Sequence, residues 1–175
     1  MAGFSISMVM IIFWVFYAIF ILVLGYVLPA LFTMRIFKKA GVKPWIAWVP
    51  FYNQWKFLQI GGYNGALIFI LVGGLILYIV GFVLMMLGGG SADSYYGGMN
   101  WALFGTGILL IFVMLAAVIV YTVFQCLAAY QIGKKLGKDG TYVLLYIFFS
   151  IIWMGILGFD KSKWDDSKGK KSLAN

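Results

Sequence analysis

The sequence has no histidine, no glutamate and a single cysteine among its 175 residues. Its five acidic residues are all aspartates and lie outside the hydrophobic stretches: Asp93, Asp139, Asp160, Asp165 and Asp166. General acid–base catalysis and zinc binding draw on His, Glu, Asp and Cys held close together. We therefore expect no enzyme activity, no cofactor and no metal site, and a disulfide within the chain is excluded.

Charge is also scarce, because only 10% of the residues are charged whereas 64% are hydrophobic. An ordinary soluble domain has about 25% charged and about 45–50% apolar residues. With a mean hydropathy of +1.01, the chain has too few polar side chains to cover a water-facing surface, which predicts an integral membrane protein. Proton-coupled transport is disfavoured because no ionisable residue lies at membrane depth.

Charged residues divide the chain into four uncharged stretches, each long enough for one membrane-spanning helix. About 20 apolar residues cross the hydrocarbon core as a helix. The predicted fold is all-α, with four transmembrane helices at Met8–Phe32, Ala66–Leu87, Trp101–Ala128 and Tyr142–Phe159. Residues 1–160 form one transmembrane domain, and residues 161–175 form a basic polar tail.

The distribution of basic residues predicts the orientation of the chain in the membrane. Residues 35–65 and 134–138 together hold eight of the 13 Lys and Arg residues, and this side is expected to be cytoplasmic. The tail holds the other five, which conflicts with a tail on the opposite side. Two alternatives stay open: the fourth segment crosses and places both termini outside, which we favour, or it is re-entrant and the tail is cytoplasmic.

An aromatic, basic segment lies between the first two predicted spans. Its rings recur at spacings of three, four and three residues, as on one face of a helix at the membrane surface. Pro50 interrupts that helix, which favours two short pieces. The segment is either an anchor or a platform for anionic lipid or a partner subunit, through Lys38, Lys39, Lys43, Trp45, Trp48, Tyr52, Asn53 and Trp55.

Three polar residues lie in or near the third span: Thr122, Gln125 and Gln131. They are expected to form hydrogen bonds between helices, and a polar groove leading to the cytoplasm is the alternative. Cys126, in the same span, is expected to act as a small apolar side chain because it has no basic neighbour.

The run Ile36-Phe37-Lys38-Lys39-Ala40-Gly41, followed by Pro44-Trp45, Ala47 and Pro50-x-Tyr52-Asn53, resembles the signature of a family of small bacterial multi-pass membrane proteins of unknown function. Residues 133–138 and 156–160 are similar to the last two landmarks of that family. Some family members precede a signal peptidase catalytic domain, which this chain lacks. The resemblance implies a fold and a bacterial membrane, and no activity.

Three functions are compatible with these observations. The first is a non-catalytic accessory or assembly subunit of a larger complex in the bacterial cytoplasmic membrane, with membrane lipids and other membrane subunits as partners. The alternative is a small transporter, channel or lipid-interacting protein that acts as an oligomer, and a third is a protein of the bacteriocin-immunity type. Nucleic acid is not an expected partner, because the basic residues flank the spans as the topology rule requires.

Overall fold

The computed structural model describes residues 6–89 and 98–174, and the side chains from Met8 onward. Most of the glycine-rich loop therefore lies outside the described residues. The α-helices are α1 (Ile6–Leu22), α2 (Leu28–Lys39), α3 (Tyr52–Ile60), α4 (Ile68–Gly88), α5 (Trp101–Lys135) and α6 (Tyr142–Phe159). A π-helical turn at Val23–Val27 joins α1 to α2, and short 3-10 helices lie at Pro44–Trp48, Gly65–Leu67 and Asp166–Lys168.

Among the residues that the structure describes, four helical segments are long and apolar enough to cross a membrane: Met8–Lys39, Gly65–Gly88, Trp101–Lys135 and Tyr142–Phe159. This confirms the predicted all-α class. Both α2 and α5 end in a pair of lysines, Lys38–Lys39 and Lys134–Lys135, at the same end of the bundle. We call this the basic end.

The π-helical turn has a local cause in Pro29. Proline has no N–H group, so the carbonyl of Gly25 loses the donor that an α-helix would supply four residues later. The helix widens instead, and the Leu28 N–H donates to the carbonyl of Val23, five residues back. A single π-helical turn thus accommodates Pro29 within an otherwise continuous helical path.

Helices α4 and α5 pack backbone against backbone along a seam of glycines. A Cβ on Gly107 would lie 2.5 Å from the carbonyl oxygen of Gly81, and one on Gly88 would lie 2.5 Å from the nitrogen of Phe104. On α4 the glycines Gly74, Gly81 and Gly88 recur every seven residues and are buried. Such close approach is possible because these positions carry no side chain.

Helix α6 does not continue straight. Its backbone is non-helical at Phe149 (φ −143°, ψ 61°), and Lys138 Nζ lies 2.7 Å from Asp160 Oδ2 and 5.6 Å from the centre of the Tyr142 ring. A straight helix of 18 residues would hold its ends about 27 Å apart. The length and composition of α6 fit a span, but its path is that of a re-entrant hairpin.

The tail therefore lies at the basic end, and the favoured expectation of a tail on the opposite side is wrong. Its residues pack on α3 and α5. Lys135 is fully buried, lies 2.7 Å from Asp166 Oδ1 and donates to the carbonyl of Ile60 at 2.7 Å. The Leu173 N–H donates to the carbonyl of Gln59 at 2.8 Å. All 13 cationic residues thus lie at the basic end.

The buried core also lies at the basic end. It contains Ile36, Phe37, Phe57, Leu58, Ile60, Ala128, Ala129, Ile132, Trp153 and Leu157. By contrast, every side chain from Val9 to Leu22 on α1 is exposed. Apolar side chains that are exposed over this length require lipid or another apolar surface around them.

Candidate functional site

A cavity of about 540 Å³ lies between the helices. Its wall includes residues of the α1–α2 junction, of the turn at Pro50, and of α3, α4, α5 and α6. Most of the wall is apolar, and the polar side chains that line it are Tyr26, Thr33, Asn53, Gln54, Tyr121, Thr122, Gln125 and Tyr146. This mixture is typical of a small-molecule binding site.

Gln125 of α5 is the centre of a polar network in the wall of this cavity. Its Nε2 donates to Gln54 Oε1 of α3 at 2.8 Å and to the phenolic oxygen of Tyr121. The Tyr146 hydroxyl, on α6, donates to Gln125 Oε1 at 3.4 Å. Gln125, which is 7% exposed, therefore joins three helices in the way the sequence led us to expect.

The other two polar residues of the third span have different surroundings. The Thr122 hydroxyl donates to the carbonyl of Val118 on its own helix at 2.8 Å, and the side chain is exposed at the cavity. Gln131 lies near the basic end, where its Oε1 accepts from the N–H of Lys170 at 3.1 Å. Thr122 and Gln125 thus line the same cavity, whereas Gln131 contacts the tail.

The chain turns sharply at Pro50–Tyr52, at the wall of the cavity. Phe51 has φ 62° and ψ −46°, and the Tyr52 N–H donates to the carbonyl of Pro50 at 2.7 Å. This is a γ-turn of the rare type with positive φ, which strains a residue other than glycine. The Phe51 side chain is 64% exposed. The predicted break at Pro50 is confirmed, with a 3-10 helix before it and α3 after it.

The side chain of Asn53 supplies a hydrogen-bond donor that the backbone lacks at Pro50. In a continued 3-10 helix the carbonyl of Ala47 would accept from residue 50, but proline has no N–H group. The Asn53 Nδ2 donates to that carbonyl at 3.2 Å instead. Asn53 Oδ1 is buried and meets no donor in residues 6–89 or 98–174.

The residues predicted to contact lipid or a partner separate into two groups. Lys38, Lys43, Trp45, Trp48 and Tyr52 are exposed. Trp55 packs inward, with its ring 5.8 Å from that of Phe69 and against Gly65, where a Cβ would lie 2.5 Å from Trp55 Cδ1. The break at Pro50 places the four rings on two short helices rather than on one face of a single helix.

Lys39 is the remaining lysine of that predicted set, and it forms an ion-pair cluster with Asp160. Lys39 Nζ lies 2.5 Å from Asp160 Oδ1, and Lys138 Nζ lies 2.7 Å from Oδ2. Burial disfavours the Asp160 carboxylate, but the hydrogen bonds from Lys138, Lys39 and Ser162 outweigh burial and hold its pKa well below the usual range. We call these three residues, Lys39, Lys138 and Asp160, the Asp160 clamp.

The clamp was not identified from the sequence. The available signal was an aspartate directly after an apolar segment, in a chain where the first and third apolar segments end in lysines. The clamp also ends α6, because Lys39 Nζ donates to the carbonyls of Leu157 at 2.6 Å and Asp160 at 2.9 Å. It therefore fixes the returning arm of the hairpin to α2.

The cavity has no charged side chain among the described residues that line it. Within residues 6–89 and 98–174, no three His, Cys, Asp or Glu side chains are placed to hold a metal ion. The chemistry available at the cavity is thus that of neutral amides, hydroxyls and apolar groups, which suits binding.

Comparisons with known proteins give no family model, no curated protein and no solved structure that matches the chain. The resemblance to a family of small bacterial membrane proteins therefore stays a prediction.

Proposed function

We propose that this chain is a non-catalytic, multi-pass membrane protein that binds a membrane-soluble amphiphile in the cavity between its helices. The observation that carries the proposal is the combination of a mostly apolar wall with one polar network, which is centred on the buried side chain of Gln125. An amphiphile has the same division into apolar and polar parts. This proposal develops the lipid-interacting alternative from the sequence.

The position of the cavity supports a ligand that enters from the bilayer. Five of the described lining residues are exposed: Gly25, Pro50, Phe51, Gln54 and Thr122. Thr122 precedes Lys135 by 13 residues and Gly25 precedes Lys39 by 14, so both lie about 20 Å along their helices from the basic end. Because the hydrocarbon core is about 30 Å thick, the opening falls within it.

The membrane and the orientation belong to the same proposal. We infer a bacterial cytoplasmic membrane with the basic end in the cytoplasm, where an excess of Lys and Arg is favoured. All 13 cationic residues at one end support this orientation more strongly than the eight counted in the loops.

The test is to quantify lipid that copurifies with the protein. Thr122→Phe adds bulk at the opening of the cavity, and the matched control Val120→Phe adds the same bulk on the exposed outer face of α5. We expect Thr122→Phe to lower the molar ratio of bound amphiphile at least fivefold, and Val120→Phe to leave it unchanged. Equal ratios in the two variants would contradict the proposal.

A second candidate, the accessory subunit, is favoured by the exposure of α1. The rings of Phe13, Trp14 and Tyr17 contact one another but are exposed at 48% or more. The tail and Gln125 make contacts within the chain, so a partner would meet α1. Copurification in mild detergent tests this, because a stoichiometric partner that is lost in Trp14→Ala would support the subunit.

A further inference from the structure

The charge of the cavity wall limits the ligand. The described lining residues include no Lys, Arg or Asp, and the nearest ion pairs lie in the Asp160 clamp and the tail. An ion moved from water into an apolar site without a counter-ion loses several kcal/mol of hydration. A carboxylate or phosphate group is therefore disfavoured, and the ligand that fits the cavity is uncharged.

The hydrogen bonds of the network indicate which polar group the ligand carries. Both Nε2 protons of Gln125 are used, one toward Gln54 Oε1 and one toward the Tyr121 oxygen, and Gln125 Oε1 accepts from Tyr146. The protons of the Tyr121 hydroxyl and of Gln54 Nε2 meet no acceptor in the described part of the chain. The network thus has donors in excess.

Tyr121 is the more informative of these two donors. It is 7% exposed and lines the cavity, and a hydroxyl in an apolar setting without an acceptor is unfavourable, so an acceptor is expected to reach it from the cavity. The hydroxyls of Thr33 and Thr122 already donate, to Met154 Sδ and to the Val118 carbonyl. Asn53 Oδ1, the acceptor left over nearby, is enclosed by the protein.

We infer that the cavity takes an uncharged amphiphile whose polar end carries carbonyl oxygens, with Tyr121 donating to one of them. A glycerol ester lipid without a phosphate and a lipid-soluble quinone share this chemistry. The volume of about 540 Å³ is within the range of about 300–1,000 Å³ found for ligand sites. It holds the polar end, and the chains leave toward Thr122. This inference rests on the proposed function.

The experiment compares four probes on the full chain in detergent by native mass spectrometry. Dioleoylglycerol and decylubiquinone carry carbonyls, the dioleyl ether of glycerol has the same chains and hydroxyl without carbonyls, and dioleoyl phosphatidic acid adds a negative charge. We expect dioleoylglycerol or decylubiquinone to bind about fivefold or more tightly than the ether, and phosphatidic acid to bind weakest. Whichever carbonyl probe binds identifies the source of the ligand.

Tyr121→Phe removes the hydroxyl and keeps the ring, and should bring the affinity for the carbonyl probe down to that for the ether. Tyr78→Phe is the matched control, because Tyr78 is exposed on α4 outside the cavity. Equal binding of ester and ether by the unmodified protein, or preference for phosphatidic acid, would overturn the inference and leave the proposed function standing. Binding of none of the four would overturn both, and neither result depends on a variant folding.

Discussion

Lys138 and Asp160 flank α6 in the sequence and form an ion pair of 2.7 Å in the structure. The contact shows that the apolar segment between them enters and leaves at the same end of the bundle. An apolar composition alone does not reveal such a path, because a re-entrant hairpin whose outer side chains are exposed to lipid, as Phe148 and Phe149 are, needs the same apolar side chains as a span.

Labelling of single cysteines from the two sides of the membrane tests the path of α6. In a Cys126→Ala background, we expect Lys43→Cys and Lys161→Cys to react from the same side, and Met99→Cys from the opposite side. The physical reason is that the tail packs on the same end as the segment after α2. Reaction of position 161 together with position 99 would show that α6 crosses.

Removing the carboxylate of the Asp160 clamp should destabilise the protein. Asp160→Asn leaves Lys39 and Lys138, which are 17% and 25% exposed, without their anion, and we expect the free energy of unfolding to fall by about 1–3 kcal/mol. Unfolding in mixed detergent micelles measures the change. Asp165→Asn is the control, since its pair with Lys168 is exposed and should contribute little to stability.

The clamp also predicts a pH dependence. The pKa of Asp160 is held below its ordinary 3.8, so its contribution to stability is complete above that pH and declines as the pH falls further. The hydrogen bond to Asp160 raises the pKa of Lys138 above 10.5, so its contribution is complete below that pH and is lost above it. Unfolding across pH should show both limbs, and Asp160→Asn should weaken both.

The glycine seam predicts a position-dependent effect of one methyl group. Gly107→Ala would place a Cβ 2.5 Å from the Gly81 carbonyl oxygen, and we expect the overpacking to cost about 1–3 kcal/mol. Gly105→Ala, on the same helix, meets nothing within 4 Å and should change stability little. Equal effects in the two variants would show that α4 and α5 are not in backbone contact.

The turn at Phe51 predicts that glycine is more stable than alanine at this position, which is the reverse of the order inside a helix. Phe51→Ala and Phe51→Gly both remove the ring, but alanine retains the strain of positive φ, so the glycine variant should be about 1–2 kcal/mol more stable than the alanine variant. At Phe112, inside α5, glycine should be about 1 kcal/mol less stable than alanine. The same order at both positions would rule out the γ-turn.

The helices and the break at Pro50 were predictable because each depends on local sequence. Long apolar runs bounded by charge set the spans, and a proline without an N–H group sets the break. The role of Gln125 was also predicted, since an amide at membrane depth requires partners. Its partners Gln54 and Tyr146 were not identified, because their meeting depends on how α3 and α6 are placed.

The path of α6, the site of the tail and the cavity could not be read from the sequence. The tail lysines gave the correct signal, since they argued for the basic end, but a segment of 18 apolar residues outweighed them. The heptad spacing of Gly74, Gly81 and Gly88 is visible in the sequence, but the spacing alone does not show which helix packs against these glycines. The cavity arises from five separate segments, and no local pattern marks it.

The docking of the tail implies an order of events during translation. A nascent chain that has just completed α6 has no counter-ion for Lys135, which pairs with Asp166, and the carbonyl of Gln59 accepts from the N–H of Gly62 but not yet from that of Leu173. Both tail contacts form only after residues 166–173 have left the ribosome. The tail is therefore synthesised after all the helices that enclose the cavity, and its contacts with α3 stabilise the α3 wall last.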